Sequence, residues 1–188
     1  MFPIRLLLAG LLLAGALPSA RAGEAAPLAT IPSLDLPRYL GRWHEIAKYP
    51  NRFQKQCAGD TSADYSAAAP GRVTVVNRCR RADGSFDEAV GEARQIGAAD
   101  SPKLEVRFAP AWLGFLPFVW GDYWIVALDD DYRLAIVSEP HRDYLWVLSR
   151  TPTIDPAAWA HVRETLATQG FDLDRVELSR QGGEPAVR

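Results

Sequence analysis

The chain has 188 residues, with 21 Lys and Arg against 23 Asp and Glu, so its formal net charge is −2 with neutral His. One domain is the expectation at this length, and a chain so close to charge balance, with no block of Lys or Arg, lacks the positive field that binding a nucleic-acid backbone requires. Hydrophobic residues make up 48% and aromatics 10%, which is enough for a core and too much for a disordered chain. Two cysteines exclude a disulfide-dense miniprotein and a four-cysteine zinc site.

In chain order, Arg5 precedes an apolar run over 6–17 made only of Leu, Ala and Gly. A bilayer span takes about 20 residues, so this run is too short for one. Ser19-Ala20-Arg21-Ala22 follows as an A-x-A cleavage site, and residues 1–22 therefore read as a secretory signal peptide. No cysteine follows the run, so there is no lipobox. Removing 22 residues, whose only charges are Arg5 and Arg21, leaves 166 residues at a net charge of −4. The expected location is periplasmic or secreted. Residues 23–33, rich in Ala and Pro, are expected as a mobile leader, 34–180 as the folded domain, and 181–188 as a frayed tail.

Within 34–180, short period-two segments alternate with turn signals, as in an antiparallel sandwich or barrel. Strands are expected at 43–49, 59–65, 73–79, 88–96, 103–108, 123–128, 133–137 and 145–149. In the fourth, the small residues Ala89, Gly91 and Ala93 oppose Glu88, Glu92 and Arg94, which leaves room on the inner side. The fifth alternates Leu104, Val106 and Phe108 with Lys103, Glu105 and Arg107. The last three are apolar on both faces, so their outer side needs a cover. The one helix expected supplies it: Asp155 caps its start, Pro156 takes the first helical position, and Gly170 stops it. Trp159, Val162 and Leu166 fall on one stripe of that helix. Parity on 123–128 is open, so Tyr123 or Trp124 faces the interior, but not both.

Three segments carry a resemblance. Gly41-Arg42-Trp43 stands within Tyr39-Leu40-Gly41-Arg42-Trp43-His44-Glu45-Ile46, Asp129-Asp130-Asp131-Tyr132-Arg133 joins the sixth and seventh strands, and Leu148-Ser149-Arg150-Thr151-Pro152 ends the eighth. With all three in order over 34–180, the chain resembles the lipocalin family, and within it the bacterial outer-membrane or periplasmic members. It departs from them at His44, where those relatives usually carry Tyr, and in lacking the lipobox of the anchored members. The resemblance implies an all-β fold, an eight-stranded up-and-down antiparallel β-barrel (the lipocalin calyx) with one C-terminal α-helix packed on its outside. It also implies a role in cell-envelope lipid storage, transport or repair, with no cofactor. Gly41, Trp43 and Arg150 are then structural, with the Arg150 guanidinium over the Trp43 indole as a plug at the closed end.

An up-and-down meander assigns every loop to an end. Cys57 precedes the second strand and Cys79 ends the third, so both sit at the mouth, and in an exported protein a Cys57–Cys79 disulfide is expected. Thr61, Ala63, Tyr65, Leu104, Val106 and Phe108 are expected to face the interior and contact ligand. The segment 112–120, with Trp112 and Phe115, lies at the mouth. It closes over an acyl ligand, dips into a membrane interface or folds back as core. Arg52, Lys55, His141 and Arg142 would share that mouth as cations for a carboxylate or phosphate headgroup, and Arg142 is named with the ligand-binding set.

Other chemistry finds little support. His44, His141 and His161 are scattered without metal-ligand spacing, His44 and Glu45 point to opposite faces of a strand, and 129–131 reads as a solvated acidic turn. The expected function is binding of a fatty acid or lysophospholipid, with peripheral membrane contact open and no catalysis. Two rivals remain: a barrel enzyme acting on a bound lipid or isoprenoid with His44 or Glu45 as acid or base, and an interaction module that docks through 112–120. Oligomeric state is not legible.

Overall fold

The computed structural model describes residues 26–188; the signal-peptide segment expected at 1–22 lies outside them. A short helix, α1 (Leu36–Tyr39), precedes eight strands: β1 (Gly41–Lys48), β2 (Cys57–Ala69), β3 (Arg72–Arg81), β4 (Phe86–Gln95), β5 (Lys103–Arg107), β6 (Gly121–Leu128), β7 (Leu134–Ser138) and β8 (Leu145–Ser149). Each pairs antiparallel with the next, and β1 pairs with both β8 and β2, so the sheet closes into a barrel. Helix α2 (Pro156–Thr168) and a two-residue strand, β9 (Glu177–Leu178), follow outside it. Every expected strand is present. β2 runs past its expected end because its hairpin with β3 turns only at Pro70-Gly71, where Pro presets its own φ and Gly71 takes φ +68°.

Two apolar clusters divide the core. The inner one, in the barrel, joins Tyr39, Trp43, Ala63, Tyr65, Val73, Val75, Leu104 and Val137. An outer one places Val126, Ile136, Leu145 and Val147 of β6–β8 under Val162 and Leu166 of α2. That is the cover the two-sided apolar strands call for. Asp155 accepts from the Ala158 N–H at 2.8 Å, Pro156 opens α2, and Gly170 follows its end at φ +77°. Strand β6 splits between the clusters: Tyr123 packs on the inner one and Trp124 on the outer. The opposite side of the barrel is wet, and its outer face carries a cross-strand ladder of Arg42, Asp64, Arg78 and Glu88.

Both chain ends depart from expectation. The 26–33 part of the expected leader lies against the barrel: Leu28 is buried in the outer cluster and the Ile31 N–H donates to the Ile125 carbonyl at 3.1 Å. The tail at 181–188 is also held. β1 and β2 pair only over 41–44, which leaves polar backbone on both strands toward the mouth. The C-terminal segment meets that demand. The Ser179 N–H donates to the Ile46 carbonyl, and the Gln181 amide donates to the carbonyls of Glu45 on β1 and Thr61 on β2, at 2.9 and 3.0 Å. Ala186 is fully buried, and Ile154 and Val187 form a bridge.

Candidate functional site

The closed end is built first, from α1. Asp35 caps that helix by accepting from the Arg38 N–H, and Leu36 and Tyr39 turn inward. The Trp43 indole donates to the Tyr39 carbonyl at 2.8 Å and is fully buried. Arg150 lies 3.9 Å above the Trp43 ring centroid and donates to the carbonyls of Tyr132, Arg42 and Arg38 at 3.1, 3.0 and 2.8 Å. Gly41 is required beneath it: φ is +96°, and a Cβ there would stand 3.2 Å from the guanidinium. Gly41, Trp43 and Arg150 thus form the structural plug expected of them.

Above the plug, the register carries inner-facing rows around the barrel. Trp43 stands beside Ala63, Asn77 and Ala89, and Tyr65 beside Val75 and Gly91, with Phe108 next in line. Small residues on β4 keep the interior open. Asn77, Gly91, Val106 and Tyr123 on this inner face are only partly buried, and Ala89 is exposed where β4 runs beyond its pairing with β5. Of the residues expected to touch ligand, Ala63, Tyr65 and Leu104 are buried members of the inner cluster and Val106 packs on it. Thr61 falls at the irregularity between Gly59 and Ser62, where its carbonyl serves Gln181. Phe108 sits near the rim, 44% exposed, with its ring on Gly91.

Three phenols meet in this interior. The Tyr123 hydroxyl lies 2.9 Å from that of Tyr39 and 2.9 Å from that of Tyr65. Burial raises all three pKa values, that of Tyr65 to about 12 and those of Tyr39 and Tyr123 well above the ordinary 10, so all remain protonated in neutral solution. Sequence reading left Tyr123 as one of two options and treated Tyr39 only as part of a motif. Their meeting depends on α1, which period-two patterning does not reveal.

Toward the mouth, Glu45 is 2% exposed, and its carboxylate accepts from the Ser179 hydroxyl at 2.6 Å and the Gln54 amide at 2.5 Å. The same Gln54 accepts from the Trp146 indole at 3.0 Å. Burial pushes the Glu45 carboxyl above its usual range, against the pull of its two donors. Burial, with Arg42 nearby, lowers His44. Both Glu45 oxygens are spent on the C-terminal segment and the loop after β1, so this carboxylate fastens the barrel seam. Among the described residues, no group of three or more His, Cys, Asp or Glu is placed to hold a metal ion. Cys57 and Cys79 are joined, as expected, with Cα atoms 5.5 Å apart.

One mouth assignment changes and one open choice narrows. Arg142 does not stand free as a headgroup cation: it donates to the carbonyls of Gln169 at 2.8 Å and Ala26 at 2.7 Å, tying α2 and the N-terminal segment together. The cause is local. The Glu139 carboxylate accepts from the N–H groups of His141, Asp143 and Tyr144, which curls the loop and puts Arg142 at φ +61°. The loop at 108–120 is not core either. Trp120 lies against Arg94 and Arg107, 4.0 and 5.1 Å from its ring centroid, and these residues pair with Glu105 and Glu92 on the outer side of β4 and β5. Anchored there, the loop leaves Trp112, Phe115 and Phe118 exposed at 72%, 78% and 79%.

With this geometry in place, comparison with known proteins is decisive for kinship. Residues 34–181 match the family model described as a lipocalin-like domain. The chain belongs to the lipocalin family. It is 38% identical to the outer membrane lipoprotein Blc of Escherichia coli over 152 residues, 80% of this chain and 81% of Blc. It is 34% identical to temperature-induced lipocalin-1 of Arabidopsis thaliana over 164 residues, 86% and 87% of the two chains. Insecticyanin from the tobacco hornworm Manduca sexta superposes with a TM-score of 0.63 at 20% identity, covering 88% of this lipocalin and 90% of that chain. At that identity the likeness concerns the fold alone.

Proposed function

We propose that this lipocalin binds an amphipathic lipid, a fatty acid or lysophospholipid, with the acyl chain in the barrel and the headgroup at the mouth. The observation that carries this reading is the small-residue lining of a barrel plugged below by Trp43: Gly91, Val106 and Tyr123 on the inner-facing side are only partly buried, and Ala89 is exposed toward the mouth. Burying an acyl chain there contributes about 0.8 kcal/mol per methylene. Arg142 leaves the expected headgroup set, of which Arg52, Lys55 and His141 remain. The Cys57–Cys79 bond suits an oxidising compartment, in keeping with an exported protein of the cell envelope or exterior. Trp112, Phe115 and Phe118, exposed together at the mouth, suit peripheral contact with a lipid surface during loading and release.

The test uses protein delipidated under denaturing conditions and refolded, titrated with fatty acids and lysophospholipids of twelve to eighteen carbons. A saturable change in tryptophan fluorescence is expected. No saturable change with any of them sinks the reading.

A further inference from the structure

We infer that the Tyr39–Tyr123–Tyr65 hydroxyl cluster is a polar subsite for a neutral oxygen on the buried end of the ligand, a hydroxyl or carbonyl group far from the headgroup. This rests on the lipid-binding reading and narrows the ligand class within it.

The inference follows from a donor count. Each phenol brings one O–H donor and two acceptor lone pairs. The three hydroxyls form a chain with two links, at 2.9 Å each, and among the described residues none has another partner. Two links consume two protons, so one O–H donor is always left over, whichever way the chain is oriented. Several lone pairs are left as well. The inner apolar cluster that holds Tyr39 and Tyr65 also includes Val73, Val75, Ala93 and Leu104. A buried donor without an acceptor is costly, and linked hydroxyls polarise one another, which strengthens the free end. Tyr123, the middle member, packs on the inner cluster and is only partly buried, which puts the cluster on the side from which a ligand in the barrel approaches.

The charge of that atom follows from what is missing around it. The Arg150 guanidinium lies beyond the cluster at the closed end, spread over the carbonyls of Arg38, Arg42 and Tyr132. With that guanidinium already engaged by three carbonyls, a carboxylate brought to this depth would lose its hydration without a free counter-charge. A neutral hydroxyl or ketone oxygen loses far less and gains the spare donor. A hydroxyl also has its own proton to give to an unused tyrosine lone pair. The ligand class is a lipid oxidised or hydroxylated at its far end.

Position isomers test this without changing ligand size or polarity. Affinities of ω-hydroxyhexadecanoic and α-hydroxyhexadecanoic acid are measured on the refolded protein by fluorescence titration, with hexadecanoic acid as reference. The α-hydroxyl stays with the carboxylate at the mouth, whereas the ω-hydroxyl must be buried. The ω isomer is expected to bind more tightly than the α isomer to the wild type. In the variant combining Tyr39→Phe, Tyr65→Phe and Tyr123→Phe the order reverses, with the ω isomer losing roughly tenfold or more, the cost of one buried hydroxyl left unpaired. If the wild type binds the ω isomer more weakly than the α isomer, the subsite is refuted while lipid binding stands, and this arm needs no variant to fold. An unchanged order in the triple variant also refutes it, by removing the hydroxyls from the cause. If none of the three acids binds, this inference falls, and the lysophospholipid titration decides separately whether the lipid-binding reading stands.

Discussion

Replacing Arg150 tests whether the closed end is held by a guanidinium in particular or merely by a positive charge. Its three bonds to the carbonyls of Tyr132, Arg42 and Arg38, at 3.1, 3.0 and 2.8 Å, come from one planar fork. A net hydrogen bond is worth about 0.5–1.5 kcal/mol, and this site is part-exposed, so water replaces some of each and the three together come to about 2 kcal/mol. The stack on Trp43 at 3.9 Å adds about 1 kcal/mol. Arg150→Ala is therefore expected to cost about 3 kcal/mol, or roughly 6–12 °C in Tm for a domain of this size. Arg150→Lys keeps the charge but cannot serve three carbonyls at once, and is expected to cost about half as much. Urea unfolding followed by far-ultraviolet circular dichroism reads both, with an unchanged m-value as the control for two-state behaviour. A double-mutant cycle with Trp43→Leu isolates the stack, for which a coupling of about 1 kcal/mol is expected. Arg150→Lys indistinguishable from wild type would refute the reasoning, because it would show that the fork geometry contributes nothing.

Reduction of the Cys57–Cys79 bond, which spans a sequence separation of 22, is expected to lower stability by about 3 kcal/mol through the entropy of the unfolded chain; urea midpoints of wild type and the Cys57→Ser, Cys79→Ser variant, with and without reductant, measure it, and equal midpoints would contradict it. Glu45 gives a pH signature of defined sign. Its folded pKa is raised above the ordinary 4.5 by burial, so the folded state takes up its proton first, and this group's contribution to stability falls as pH rises from 4.5 through the folded value and is flat beyond. Asp64, held low by Arg42 and Arg78, has the opposite sign: its contribution is present above the ordinary 3.8 and is lost as pH falls through the depressed folded value. Glu45→Gln is expected to remove the first slope and leave the second, in unfolding free energies measured from acid to neutral pH. A variant with the wild-type profile throughout would show that burial of Glu45 does not set it.

Much of this lipocalin was legible in one dimension because its strands obey one local rule. Alternation in 103–108 put Leu104 and Val106 inside and Arg107 outside, and the small residues at 89, 91 and 93 foretold an interior with room in it. The failures have a common cause, which is that two-sided or capped positions carry no periodic signal. Parity could not separate Tyr123 from Trp124, since one faces the barrel and the other faces α2 and both surroundings are apolar. Arg142 read as a free mouth cation because nothing in its neighbours' identity shows that Glu139 curls the loop and turns it onto Gln169 and Ala26. The expected mobile leader and frayed tail failed for a related reason. Their composition is ordinary for a chain end, and only the folded barrel supplies the outer cluster that buries Leu28, the Ile125 carbonyl that Ile31 meets, and the β1 and β2 carbonyls that Gln181 meets.

The sequence by itself determined the barrel, its closing helix, the plug of Gly41, Trp43 and Arg150, and the pairing of Cys57 with Cys79. Each of these follows from periodicity, from capping chemistry, from a family motif, or, for the cysteines, from the end of the meander at which both lie in an exported chain. Tertiary structure alone decided where the polar groups go. Tyr39 on α1, Tyr65 on β2 and Tyr123 on β6 are far apart in sequence, yet closure of the barrel brings their hydroxyls within 2.9 Å of one another in succession. Hydrophobic burial selects a face and can be read from spacing, but a hydrogen bond selects a partner at a distance and an angle, and these exist only once the chain has closed on itself.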